Sequence, residues 1–202
     1  MNSRDDRLAH IEKLRQMIAE YNAQPQSVCE EEKAQKTQAR RRALLLIEQR
    51  QRSHYELEQK LCSLGFAPEI IASLLEDFVQ SKLIDDKNFA YEWVRQRHQM
   101  RGKSKYVLGR ELKEKGIDAA LRQEALSQID ENTEHETAKK IAAKKAEKIT
   151  DIPVNNAQYI KNMRSIMGML ARRGFSYSIS HTMAQQALEE RIEELKESSA
   201  RA

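Results

Sequence analysis

The stretch "LEQKLCSLGF", Leu57–Phe66, decides the fold because the chain uses its pattern again. "LGRELKEKGI" (Leu108–Ile117) and "IMGMLARRGF" (Ile166–Phe175) share its template: apolar, three residues, Leu, three residues, Gly, apolar. Leu57, Leu108 and Ile166 align, then Leu61, Leu112 and Leu170, then Gly65, Gly116 and Gly174, then Phe66, Ile117 and Phe175. The register runs on through Ile70, Leu121 and Ile179, then Leu74, Ala125 and Met183, then Phe78, Ile129 and Ala187. The glycines lie 51 and then 58 residues apart, so the last unit carries about seven extra residues, where "TDIPVNNAQ" (Thr150–Gln158) interrupts the connection.

Each copy reads as the end of one helix and the start of another. Leu57 and Leu61, at i and i+4, share a helix face aimed into a small core. Gly at the C′ position takes the left-handed conformation that ends a helix, and the apolar residue after it makes the usual hydrophobic contact of such a cap. Ser53-His-Tyr-Glu56 has the spacing of a capping box, and Ser104 stands at the matching place in the second unit. A third helix follows, with Ile70, Leu74 and Phe78 on its inner face. The first helices are "RRRALLLIEQR" (Arg40–Arg50), "DDKNFAYEWVRQR" (Asp85–Arg97) and "ETAKKIAAKKAEKI" (Glu136–Ile149). Asp85 or Asp86 caps the second of these, and Phe89 and Trp93 mark its buried face. Tyr91 faces away from that stripe.

The expected fold is therefore all-α: three tandem three-helix repeats of about 50 residues. Cores this small lean on their neighbours, which predicts an elongated, curved array. The expected organisation is an N-terminal helical extension and linker (1–38), repeats at 39–84, 85–131 and 132–190, and a charged C-terminal tail (191–202). In the extension, Leu8, Ile11, Leu14, Ile18 and Tyr21 recur at helical spacing until Pro25.

Composition agrees. Of 202 residues, 40% are hydrophobic, 5% aromatic and 33% charged, with six Gly and three Pro, which suits an almost wholly helical chain. The net charge of +4 is unevenly spread: residues 36–52 carry +5, 95–115 carry +6 and 139–148 carry +4, while the C-terminal segment is acidic. Local basic patches on a near-balanced chain suit a polyanionic partner, nucleic acid or an acidic protein groove. Cys29 and Cys62 form no CxxC, and five scattered histidines have no ligand spacing, so neither zinc nor any other cofactor is expected. The first residues carry no apolar signal region, and no apolar run approaches the roughly 20 residues that span a bilayer, so a cytoplasmic protein is expected. With no nucleophile–base pair or phosphate loop, catalysis is not expected.

"RRRALLLIEQRQRSHYELEQKLCSLGF" (Arg40–Phe66), followed by "LIDDKNFAYEWVRQR" (Leu83–Arg97) and "GRELKEKGI" (Gly109–Ile117), resembles the RecX family of bacterial recombination regulators. The "LIDDKNFA" run, Leu83–Ala90, is the most specific part. The resemblance is strong over about residues 40–130 and weaker over 131–190. It implies a non-enzymatic regulator, mainly an inhibitor, of the RecA recombinase. Such a protein would bind the RecA filament on single-stranded DNA and modulate ATP hydrolysis, strand exchange and coprotease activity. It also implies direct contact with DNA, weak or through the filament. No membrane is expected as a partner, and a monomer suffices.

The motif residues read as structural: Leu57, Leu61, Gly65 and Phe66 in the first repeat; Asp86, Phe89, Leu108, Leu112, Gly116 and Ile117 in the second; Leu170, Gly174 and Phe175 in the third. Exposed cations are the contact candidates. Arg40, Arg41 and Arg42 precede an apolar helix face. Arg95, Arg97, Arg101, Lys103, Lys105 and Arg110 run from one helix through a Gly-containing turn into the next, and the Arg101-Gly102-Lys103 turn leads the candidates as a flexible basic loop. Lys140 and Lys144, at i and i+4, repel unless a partner neutralises them. Arg172 and Arg173 close the set. Two rival classes stand beside the family reading: a helix-turn-helix-like duplex-DNA binder, and a helical interaction scaffold without nucleic acid.

Overall fold

The computed structural model describes residues 30–200, and the helical pattern at Leu8–Tyr21 lies outside them. Among the described residues the chain is helical with no strand. The helices are α1 (30–49), α2 (His54–Ser63), α3 (Pro68–Gln80), α4 (Asp86–Arg101), α5 (Lys105–Glu114), α6 (Ala119–Leu126), α7 (Glu131–Ala146), α8 (Asn156–Ala171) and α9 (Tyr177–Ala200). The chain divides into two units at Ile84/Asp85.

The first unit holds α1–α3 around one core. Ala39 and Ala43 of α1 pack with Leu57 and Leu61 of α2, and with Ile71, Leu74, Leu75 and Phe78 of α3. Ile70, expected on the inner face, is only half-buried beside this core, and Ile71 takes its place. The second unit holds two cores. Phe89, Ala90 and Val94 of α4 pack with Leu108, Leu112, Ile117, Ala125 and Ile129. Ala138, Ala142 and Ala146 of α7 pack with Met163, Ile166 and Leu170 of α8 and with Met183, Ala184, Ala187 and Leu188 of α9. The third core is built on an alanine face, which lets α7 lie close to its partners without bulky side chains.

Helix ends follow the local chemistry. Ser53, Asp85, Ser104, Asp118, Asp130 and Asn155 each cap a helix, the side-chain oxygen accepting from a backbone N–H in the first turn. The cap of α4 is thus Asp85, and Asp86 is its first residue. The three template glycines have φ of +84°, +73° and +85°. After each, the same pair of bonds recurs: Gly65 N–H to Cys62 C=O and Phe66 N–H to Leu61 C=O, Gly116 to Lys113 and Ile117 to Leu112, Gly174 to Ala171 and Phe175 to Leu170. This is the Schellman arrangement, so the repeated Leu both fills the core and accepts the closing hydrogen bond. The segment from residue 191, expected as a tail, continues α9 to Ala200. Arg191 ties it down by donating to the Ile149 carbonyl at 3.1 Å.

Candidate functional site

The turn between α4 and α5 is not a free loop. Gly102, with φ +59°, is buried, and a Cβ there would meet Ile141 Cδ1 of α7 at 2.6 Å. Ser104 N–H donates to the Arg173 carbonyl at 2.9 Å, and Lys105 N–H donates to Glu134 Oε1 at 2.8 Å. These are donors at the start of α5 with no partner inside their own helix, and the third repeat satisfies both. From the other side, Gly174 sits so close to Ser104 and Val107 that its missing Cβ makes room for them.

Buried His98 completes the lock. One ring nitrogen lies 2.9 Å from the Lys103 carbonyl, the other 3.0 Å from Thr137 Oγ1 on α7. A carbonyl can only accept, so Nδ1–H donates to it, and Nε2 and the threonine hydroxyl form the second hydrogen bond. The second and third repeats are therefore joined through the loop expected to be flexible. It is a wedge.

The candidate cations fall into distinct environments. Lys103 pairs with Glu111, which also lies 3.6 Å from Arg97 and accepts from Trp93 Nε1 at 3.0 Å. The Arg97 guanidinium stacks 3.5 Å from the Trp93 ring centroid. Trp93, expected in the core, is half-buried with its outer face covered by cations. Tyr91 is not open either: its hydroxyl donates to Glu124 at 3.0 Å. The Lys87 ammonium, and after it that tyrosine hydroxyl, hold the Glu124 carboxyl below its ordinary range. Arg95 pairs with Glu92 at 2.6 Å, Arg110 lies 3.9 Å from Glu114, and Arg40 lies 4.0 Å from Asp77 and over the Phe78 ring. Lys105 donates to the Ile129 carbonyl at 3.2 Å.

Arg41, Arg42, Lys140 and Lys144 are exposed, and no carboxylate among the described residues lies within ion-pair distance of them. Arg41 and Arg42, with Gln38 and Leu45, line a surface cavity of about 230 Å³. Arg101 and Arg172 are also exposed. They are brought together by Arg173, which donates from Nε to the Arg101 carbonyl at 3.3 Å across 72 residues of chain. That bond brings together two turns that are distant in the sequence, each of which carries an exposed arginine. Sequence reasoning passed over Tyr106 and Tyr177, which are strongly exposed on α5 and α9. No periodicity marks them, because each lies off the buried stripe of its helix.

Tandem three-helix modules with unpaired cations on their surfaces define a binding protein. The first three-helix domain of RecX matches residues 39–78, and the second matches residues 85–126. The chain is 44% identical to the regulatory protein RecX of Corynebacterium efficiens over 199 residues, 96% of this chain and 95% of that protein. It is 34% identical to the protein of the same name from Mycolicibacterium smegmatis, over 79% of this chain and 87% of that one. The crystal structure of RecX from Lactobacillus salivarius superimposes with a TM-score of 0.64 at 27% identity, covering 76% of this chain and 97% of that one. The chain belongs to the RecX family, regulators of the RecA recombinase and not enzymes. Among the described residues no helix is long and apolar enough to cross a membrane.

Proposed function

We propose that this RecX-family regulator binds the RecA filament assembled on single-stranded DNA and restrains its ATP hydrolysis, strand exchange and coprotease activity. Exposed cations with no carboxylate partner among the described residues carry this reading: Arg41 and Arg42 on α1, Lys140 and Lys144 on α7. Their charge is available to a polyanionic partner, whereas Lys103 and Arg97 share the carboxylate of Glu111. A filament repeats its acidic surface, and a chain carrying several cationic modules can engage more than one copy of it, which multiplies weak contacts.

The test is RecA ATP hydrolysis on single-stranded DNA, titrated with this protein while RecA is in molar excess. Substoichiometric inhibition is expected from the native sequence. A Lys140→Glu/Lys144→Glu protein with unchanged circular dichroism should need at least about tenfold more to inhibit, as should Arg41→Glu/Arg42→Glu. Absence of inhibition by folded native protein on confirmed filaments would reject the proposal.

A further inference from the structure

We propose that the segment Leu8–Tyr21 docks antiparallel on the outer face of α1 and there competes with a polyanion for Arg41 and Arg42. Ala39 and Ala43, with half-buried Leu46 and Ile47, turn α1 toward the core of the first unit. Ala34, Gln38, Arg41 and Leu45 recur at i, i+4, i+7 and i+11 on the opposite side, and all four are exposed. Leu45 is 44% and its neighbour Leu44 41% exposed, so α1 ends in an apolar surface that nothing among the described residues of its unit covers. The cavity of about 230 Å³ lined by Gln38, Arg41, Arg42 and Leu45 lies on this face.

The sequence names the occupant. Leu8, Ile11, Leu14, Ile18 and Tyr21 recur at helical spacing outside the described residues, and residues 22–29, with Pro25, connect them to α1. A connection of eight residues is within the usual range between packed helices, and so short a link sets its two helices antiparallel. A helix over the 14 residues 8–21 spans about 21 Å, which reaches from residue 30 to about residue 43 of α1. Leu8 then falls beside Leu44 and Leu45, where α1 exposes its leucines.

Residues 1–21 carry four cations and four acids, so apolar contact and not net charge holds the segment. Its tether favours it over a free partner, because a short linker sets a local concentration on the order of millimolar. Packed on Leu45, the segment overlies the stems of Arg41 and Arg42 and hinders their approach to a polyanion. It is a cover that a strong polyanion displaces. The competition rests on the filament-binding reading of Arg41 and Arg42, but the docking itself requires no RecA.

The experiment uses the full chain with Cys29→Ser and Cys62→Ser, and a short bis-maleimide that links two introduced cysteines. Leu8→Cys/Leu45→Cys should be linked within one chain at least about fivefold faster than Leu8→Cys/Glu31→Cys, at low and at high salt alike. Equal or reversed rates would overturn the docking, since a free tether closes the shorter loop to residue 31 at least as readily. Linkage between chains would assign the face to a second copy and overturn it too. Heparin, titrated without RecA, reads the competition. Leu8→Ser/Ile11→Ser, which leaves the charge unchanged, should bind it about tenfold more tightly than the native side chains do, the gain expected when about nine molecules in ten are covered. Adding Arg41→Gln/Arg42→Gln should abolish that gain. No gain, or one that survives the loss of both arginines, would overturn the competition. RecA ATP hydrolysis is measured separately: the expected linkage and heparin results without inhibition would support the cover and reject the filament reading.

Discussion

At the scale of single residues, one glycine does two jobs where another does one. Gly65 has φ +84° with nothing within 4 Å of the place a Cβ would occupy, so Gly65→Ala meets only left-handed strain, about 1–2 kcal/mol. Gly174 has the same backbone, but its added carbon would fall 2.7 Å from Ser104 Oγ and against Val107. Gly174→Ala should therefore destabilise its unit by clearly more than Gly65→Ala destabilises its own, as read by urea denaturation. Equal losses would show that the close approach relaxes freely. Leu61→Ala and Leu112→Ala, both fully buried, should each cost about 2–5 kcal/mol in the same assay. Much at this scale was legible: the template apolar residues are buried or half-buried where the spacing put them, since an i, i+4 pair before a C′ glycine has only one face to bury. His98 was not legible. A histidine between polar residues of a basic helix carries no local sign that Thr137 will meet it.

At the scale of elements, the caps connect sequence to pH. Asp130 opens α7, accepting from Thr133 N–H at 2.6 Å, and hydrogen bonds from the Thr133 side chain and backbone hold its carboxyl below the usual range. Glu124 on α6 is depressed likewise by Lys87 and Tyr91 of α4. A carboxyl with a lowered folded value stabilises fully above its unfolded value, near 3.9 for Asp and 4.3 for Glu. That contribution disappears as pH falls through the folded value. The stability gap between the native protein and Asp130→Asn or Glu124→Gln should thus be present at neutral pH and close on acidification. A gap that persists at acid pH would assign the loss to packing instead. The caps at Ser53, Ser104 and Asp85 were readable because such a side chain acts within three residues, whereas those at Asp118, Asp130 and Asn155 were passed over. The length of α9 was not, because Arg191 secures it from 42 residues away.

At the scale of the whole molecule, the second and third repeats lie in one compact unit and are expected to unfold together. Trp93 is the sole tryptophan and lies in the second repeat, while Leu170 is at the centre of the third core. Leu170→Ala should therefore lower the midpoint of the Trp93 fluorescence transition, although the two residues share no core. A Trp93 transition that ignores the third core would mean the junction contacts do not couple the repeats.

The sequence by itself determined the three helix-pair motifs, the positions of their buried leucines and stop glycines, the caps at Ser53 and Ser104, and membership of the RecX family. These rest on interactions within a few residues, whose period and end signals are written along the chain. Only the tertiary structure decided that the Arg101–Lys103 turn is a wedge between repeats, that Lys103 pairs with Glu111, and that Arg173 reaches the Arg101 carbonyl. The reason is physical. The wedge depends on groups meeting across 29 to 72 residues, as from Lys105 N–H to the Glu134 carboxylate and from the Arg173 side chain to the Arg101 carbonyl, and no local pattern records which turns will touch.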